Sequence, residues 1–116
     1  SCGEWGISYP NDGGDRDWPT HPCVGGKLVR AIGWFGFPPC QHYFTDTVWK
    51  YLGQELCNIK RLDWVLVEHM HHSLGKSQLD SVYQQSIDNW QQDKKAYRDW
   101  TKSLGPALVE RLKCLL

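Results

Sequence analysis

The sequence predicts a small α/β domain, and three observations carry that prediction. Short β-type runs occur at Glu4–Tyr9 and Leu62–His71. Stretches with helical spacing of apolar residues lie between and after them. At 116 residues the chain holds one domain at most, large enough for a core. Its boundaries are read as an α/β core over 1–76 and a helical carboxy-terminal extension over 77–116 of the same domain.

The elements follow in order. Glu4 to Tyr9 alternates weakly and reads as a short strand, and Pro10-Asn11-Asp12-Gly13-Gly14-Asp15 reads as a turn. Within that turn Asp12 and Asp15 are as well suited to a site as to solvent. Leu28, Val29 and Ile32 predict a short helix ended by Gly33. Phe37-Pro38-Pro39-Cys40 is a stiff connection. A helix is expected from Thr45, with Val48, Leu52 and Leu56 on one face.

Leu62 to His71 reads as a long buried strand, and Ser73 to Ser77 as a turn. Ser77 to Lys102 has the spacing of one long helix. Leu79, Val82, Tyr83, Ile87, Trp90, Tyr97 and Trp100 form its apolar face, and Asp80, Gln84, Gln91, Asp93, Lys95 and Asp99 its polar one. Gly105-Pro106 is expected to stop it, and Ala107 to Leu116 to form a last amphipathic helix. These later helices read as peripheral, which places the chemistry in the first eighty residues.

Composition narrows the function classes. Hydrophobic residues make up 41% and charged residues 22%, as in an ordinary globular domain. Thirteen basic residues balance thirteen acidic ones, which argues against a dedicated nucleic-acid binder. No apolar run is long enough to span a membrane. The five cysteines, Cys2, Cys23, Cys40, Cys57 and Cys114, form no CxxC pair. They read as reduced thiols in a cytoplasmic setting, with a Cys2–Cys23 or Cys23–Cys40 bridge left open. Seven Trp and five Tyr suit a core of large side chains or faces for stacking on sugars or bases, and the core reading is the safer for any single Trp.

Three of the five histidines lie in His69-Met70-His71-His72. On a strand, Val65, Val67, His69 and His71 share one face. Two imidazoles there can grip one first-row metal ion, although hydrogen-bonded histidines at a strand end fit the spacing as well. Asp12, Asp46 and Glu68 are candidate further ligands, Glu68 the weakest because it points to the other face. Gly75-Lys76-Ser77 lacks the upstream glycine of a phosphate-binding loop. Lys76 suits a phosphate contact and a solvated turn equally. Asp46 sits where the helix dipole favours negative charge, a position shared by ordinary first-turn acids.

Read together, His21-Pro22-x-x-Gly25-Gly26-x-x-x-Arg30-x-x-Gly33-Trp34, Phe44-Thr45-Asp46 and Val67-Glu68-His69-Met70-His71 resemble the second half of a family-2-type glycosyltransferase of GT-A fold. With Gly75-Lys76, Asp80 and Tyr83 following, the chain resembles the bacteriophage-encoded version of that family. The resemblance runs from about Trp5 to Trp90. It implies a small partial GT-A-like domain with a few strands, flanking helices and a long carboxy-terminal helix. It also implies transfer of a sugar from a nucleotide-sugar donor to an acceptor hydroxyl.

The roles it implies follow the motifs. Asp46 is the catalytic base. His69 or His71 holds a divalent metal (Mn or Mg) on the donor diphosphate, with Asp12 as a further candidate ligand. Lys76 touches a phosphate oxygen. Gly25 and Gly26 admit the sugar to the backbone, and Trp34 and Phe35 line the acceptor side. The family's acidic pair is here Thr45-Asp46, with one carboxylate absent. The amino-terminal nucleotide-binding half and its Asp-x-Asp are not in the chain; Asp15-Arg16-Asp17 has the spelling in the wrong place. The expected partners are therefore a nucleotide sugar, an acceptor, and a second half or oligomer. A phage-encoded protein would work in the host cytoplasm. The competing readings are a non-catalytic phage-derived assembly module docking through the Trp-rich helix, and a small His-based metal-binding protein.

Overall fold

Three strands and four α-helices make a small α/β domain in the computed structural model, which describes residues 3–68 and 81–116, the side chains of 81–84 excepted. A 3-10 turn at Gly3–Trp5 leads into strand β1, Ile7–Asn11. Strand β2, Cys23–Val24, and helix α1, Gly26–Ile32, follow. Helix α2 is Thr45–Glu55, strand β3 Ile59–Leu66, helix α3 Ser81–Lys102 and helix α4 Leu104–Lys113. The sheet order is β2-β1-β3, with β1 antiparallel to β2 and parallel to β3.

The two central helices form for the expected reasons. Gly33 adopts a left-handed conformation (φ 92°) and ends α1, returning its N–H to the Val29 carbonyl. In α2 the Val48, Leu52 and Leu56 stripe is buried, together with Trp49. Its end is a Schellman turn. Cys57 takes φ 53°, its N–H reaches Gln54 O, and the Asn58 N–H reaches Gly53 O. A Cβ on Gly53 would lie 2.7 Å from the Cβ of Ile59, so α2 meets β3 closely there. Phe44, not Thr45, is the residue preceding the helix proper.

The strand expected to be buried is not. Among the described residues β3 is an edge strand, and Trp64 is 73% exposed, with Val65, Leu66 and Val67 exposed beside it. The cause lies in its neighbour. Pro10 has no N–H for the ladder, and the register jumps from Pro10↔Leu62 to Asn11↔Leu66. Asp63, Trp64 and Val65 therefore bulge away from β1, and the period-2 alternation ends before Val67.

The carboxy-terminal helices are not peripheral either. Trp100, Val109 and Leu112 are buried in the same core as Ile7, Leu28, Phe37 and Trp49. Gly105 makes this possible, since a Cβ there would press within 2.9 Å of the Trp100 ring. The break between α3 and α4 falls at Ser103, so Gly105 and Pro106 belong to the first turn of α4. A proline there gives up only an N–H that would have no helical partner anyway.

Cys23, Cys40, Cys57 and Cys114 are free thiols, so the Cys23–Cys40 bridge does not form. Cys40 donates to the Asp93 carbonyl at 3.3 Å. Burial, and then the Asp93 charge, push its pKa up to about 11, which keeps it a thiol. Among the described residues no helix is long and apolar enough to cross a membrane.

Candidate functional site

The chain between β1 and β2 folds back over the start of α2, and two carboxylates fix it there. Asp12 accepts the Thr20 hydroxyl at 2.8 Å and the Gly14 N–H at 2.9 Å. Asp46 accepts the Trp18 indole N–H at 2.7 Å on one oxygen and the Thr47 N–H at 2.9 Å on the other. The Trp18 ring carries the Lys50 ammonium at 4.3 Å and the Arg16 guanidinium at 5.6 Å. Farther along, Tyr9 donates to Asp17 at 2.6 Å. Burial and that hydrogen bond push the Tyr9 phenol up to about 12. Asp12 thus ties the start of the loop to Thr20, and Asp46 pins the same returning limb at Trp18.

A groove of about 410 Å³ opens where this loop meets α2. Thr20 and Pro22 form one side, Phe35 and His42–Phe44 another, and Asp46 stands at the helix end. That volume lies within the range of small-ligand sites. Phe35 is 49% exposed and offers an aromatic face, while the Asp46 oxygens keep lone pairs beyond the two bonds they accept.

The wall carrying His42, Tyr43 and Phe44 is built from a distance. Asp93 of α3 is 2% exposed, and its carboxylate accepts the N–H groups of Gln41, His42 and Tyr43 at 2.9, 3.1 and 2.9 Å. Burial alone would raise its pKa. The three N–H bonds and the nearby His42 outweigh that, and the carboxyl lies below its ordinary value. Phe44 is then held at φ 73°, a left-handed conformation unusual for a bulky residue. Its ring stacks on Tyr97 at 5.4 Å and 11°. Tyr43 also hydrogen-bonds the Ser86 hydroxyl. Helical spacing puts Asp93 on the polar face of α3, yet it is buried. Its partners lie about fifty positions away, and no local signal marks them.

The structure distributes the remaining candidates as follows. Trp34 packs on Phe37 and Trp49, at 5.6 and 5.5 Å between ring centroids, as part of the core margin. Phe35, its neighbour, is the residue that reaches the groove. Gly25 lies against the 3-10 turn, where a Cβ would overlap the carbonyl of Glu4, and its N–H bonds Gly6 O at 2.8 Å. A Cβ on Gly26 would meet only the flexible end of Arg30. Neither glycine lines the groove. Gly25→Ala is therefore expected to destabilise the fold by about 2 kcal/mol or more through backbone displacement, with Gly26→Ala nearly neutral. Thermal melts of the two variants check this, and equal midpoints would refute it.

Gly13 sits beside the end of β3, with an added Cβ 3.7 Å from Glu68 Cγ. The loop bearing Asp12 thus lies against the residue that precedes His69 in sequence. His69, His71 and Lys76 themselves lie outside the described residues, as do Asp80 and the Tyr83 side chain. Among the described residues, no three His, Cys, Asp or Glu side chains converge as a metal site. No protein-family model, no curated protein and no solved structure matches the chain.

Proposed function

We propose that this domain takes part in sugar transfer and that the groove beside Asp46 receives the acceptor, a hydroxyl-rich sugar. The observation that carries the reading is the Asp46 carboxylate, fixed by Trp18 and Thr47 at a groove whose other wall presents Phe35. Hydroxyl-rich rings suit such a pairing, because the aromatic ring meets their C–H face and the carboxylate accepts a hydroxyl proton. In the transfer step Asp46 would take that proton while the acceptor oxygen bonds to the anomeric carbon. The bond from that carbon to the donor's diphosphate oxygen breaks, and the electron pair leaves with the diphosphate. His42 and Thr20 line the groove walls, where they would orient further hydroxyls, Thr20 as an acceptor because its own proton goes to Asp12.

The donor side rests on the sequence resemblance. His69, His71 and Lys76 are its candidates for a divalent metal and the diphosphate, with Asp12 as a further candidate ligand. A metal there would neutralise the leaving diphosphate.

The test is ligand-observed NMR with a panel of neutral mono- and disaccharides. Binding to the full chain, reduced about tenfold or more by Asp46→Asn and by Phe35→Ala, is the expected result, since each removes one principal contact. A panel with no binder, or binders indifferent to both substitutions, would sink the acceptor assignment. Turnover of nucleotide sugars by the full-length gene product, lost with Asp46→Asn, tests the chemistry.

A further inference from the structure

The formal neutrality of the chain conceals a segregation of charge. Acidic residues outnumber basic ones up to Glu68, and basic outnumber acidic from Ser81 to Leu116. Much of the basic excess lies on one face of α3. Lys94, Arg98 and Lys102 recur every four residues, which advances them about 6 Å per step along the axis. Together with Trp90, Lys95 and Asp99 they line a shallow groove of about 440 Å³.

The charges on this face are unequally committed. Lys95 pairs with Asp99 at 3.3 Å. The Lys94 ammonium lies over the Trp90 ring, 4.7 Å from its centre. Among the described residues no carboxylate lies within ion-pair distance of Lys94, Arg98 or Lys102. Trp90 itself is 42% exposed at the head of the row, tilted against Phe44. The row from Trp90 to Lys102 is about 18 Å long. It combines an exposed indole with three evenly spaced cations.

We infer that this face of α3 binds single-stranded nucleic acid. Lys94 leaves the face of the Trp90 ring for a phosphate, Arg98 and Lys102 meet the next two, and the ring face so vacated stacks on a base. Even spacing of cations matches a linear polyanion, and the indole favours one that carries flat aromatic groups. An extended strand can follow a straight helix face without being bent to fit it. Base-specific readout is not expected, because the cations are engaged by phosphates and Gln91 is the one amide lining the groove.

The experiment is fluorescence anisotropy of a labelled oligo-dT with the full chain, from low to physiological salt. Binding should weaken with a slope of about −2 in log K against log salt, the value for three phosphate contacts on a single strand. The triple charge reversal Lys94→Glu, Arg98→Glu, Lys102→Glu should abolish binding while leaving the circular-dichroism melt unchanged, since all three side chains lie at the surface. Trp90→Ala should weaken it about tenfold, as expected for loss of one stacked base. No binding at low salt would overturn the inference, as would a triple variant that binds like the parent. Heparin fragments bound as tightly as oligo-dT, and equally by Trp90→Ala, would also overturn it by showing a face that reads charge alone.

Discussion

Replacing Asp93 with alanine is expected to destabilise the domain by about 3 kcal/mol, as read from urea denaturation. The substitution strands the N–H groups of Gln41, His42 and Tyr43, which all point at one buried carboxylate. Each is a charge-assisted bond, and no solvent can replace the lost acceptor, because the site is 2% exposed. Asparagine should be nearly as damaging. Gln41 bonds one carboxylate oxygen, while His42 and Tyr43 bond the other. Either amide orientation therefore turns an NH₂ group toward at least one N–H.

The pH dependence has a definite sign. The folded pKa of Asp93 is depressed, with burial opposing and the three N–H bonds prevailing. Its contribution is therefore fully present above the unfolded carboxyl value of about 4, and is lost as pH falls through the folded value. The stability gap between parent and Asp93→Asn should be constant near neutrality and shrink in acid. A gap that instead widened in acid would mean that Asp93 is not the charged acceptor of these bonds. Because the same bonds shape the wall carrying His42 and Tyr43, the variant should also weaken ligand binding beside Asp46.

This anchor marks the limit of what one sequence reveals. Helix α2 was legible because Val48, Leu52 and Leu56 repeat at helical spacing, and that face did become the core. Gly33 was legible as a stop for the same local reason. The expected strand from Leu62 overlaps β3 only as far as Leu66, and that stretch is exposed from Asp63 on. Apolar content marks a strand, whereas burial depends on which neighbours flank it, and Pro10 had removed part of one ladder. Asp93 and Trp100 failed in opposite directions. Asp93 belongs by spacing to a polar face, and its burial is tolerated only because N–H groups some fifty residues away satisfy its carboxylate. Trp100 sits on the apolar face of a helix expected to be peripheral, yet α4 turns back over it at Gly105. Of the two aromatic residues expected on the acceptor side, Phe35 lines the groove while Trp34 packs at the core margin.

Trp49→Ala is expected to have the larger effect, about 3–5 kcal/mol, the range for deleting a fully buried aromatic side chain. Trp49 is 0% exposed and is the largest wholly buried side chain. Its ring packs between Trp34 at 5.5 Å and Phe35 at 5.6 Å, and its indole N–H donates to the Phe35 carbonyl at 3.0 Å. Alanine would leave a cavity under the groove and orphan that carbonyl. A domain of this size has only about 5–15 kcal/mol in hand, so the variant should unfold at much lower urea and be partly unfolded when warmed. Trp49→Phe separates the two contributions. It keeps most of the volume and drops the N–H, so its cost should be smaller, about 1–2 kcal/mol. The groove supplies the second readout. Phe35 is held from below by Trp49, so Trp49→Phe should weaken ligand binding at the Asp46 groove even where the protein remains folded. A Phe variant as unstable as the alanine one would make the hydrogen bond, not the packing, the principal role of Trp49. An alanine variant that lost less than about 1 kcal/mol would show that the Trp34–Phe35–Trp49 cluster does not carry this end of the core.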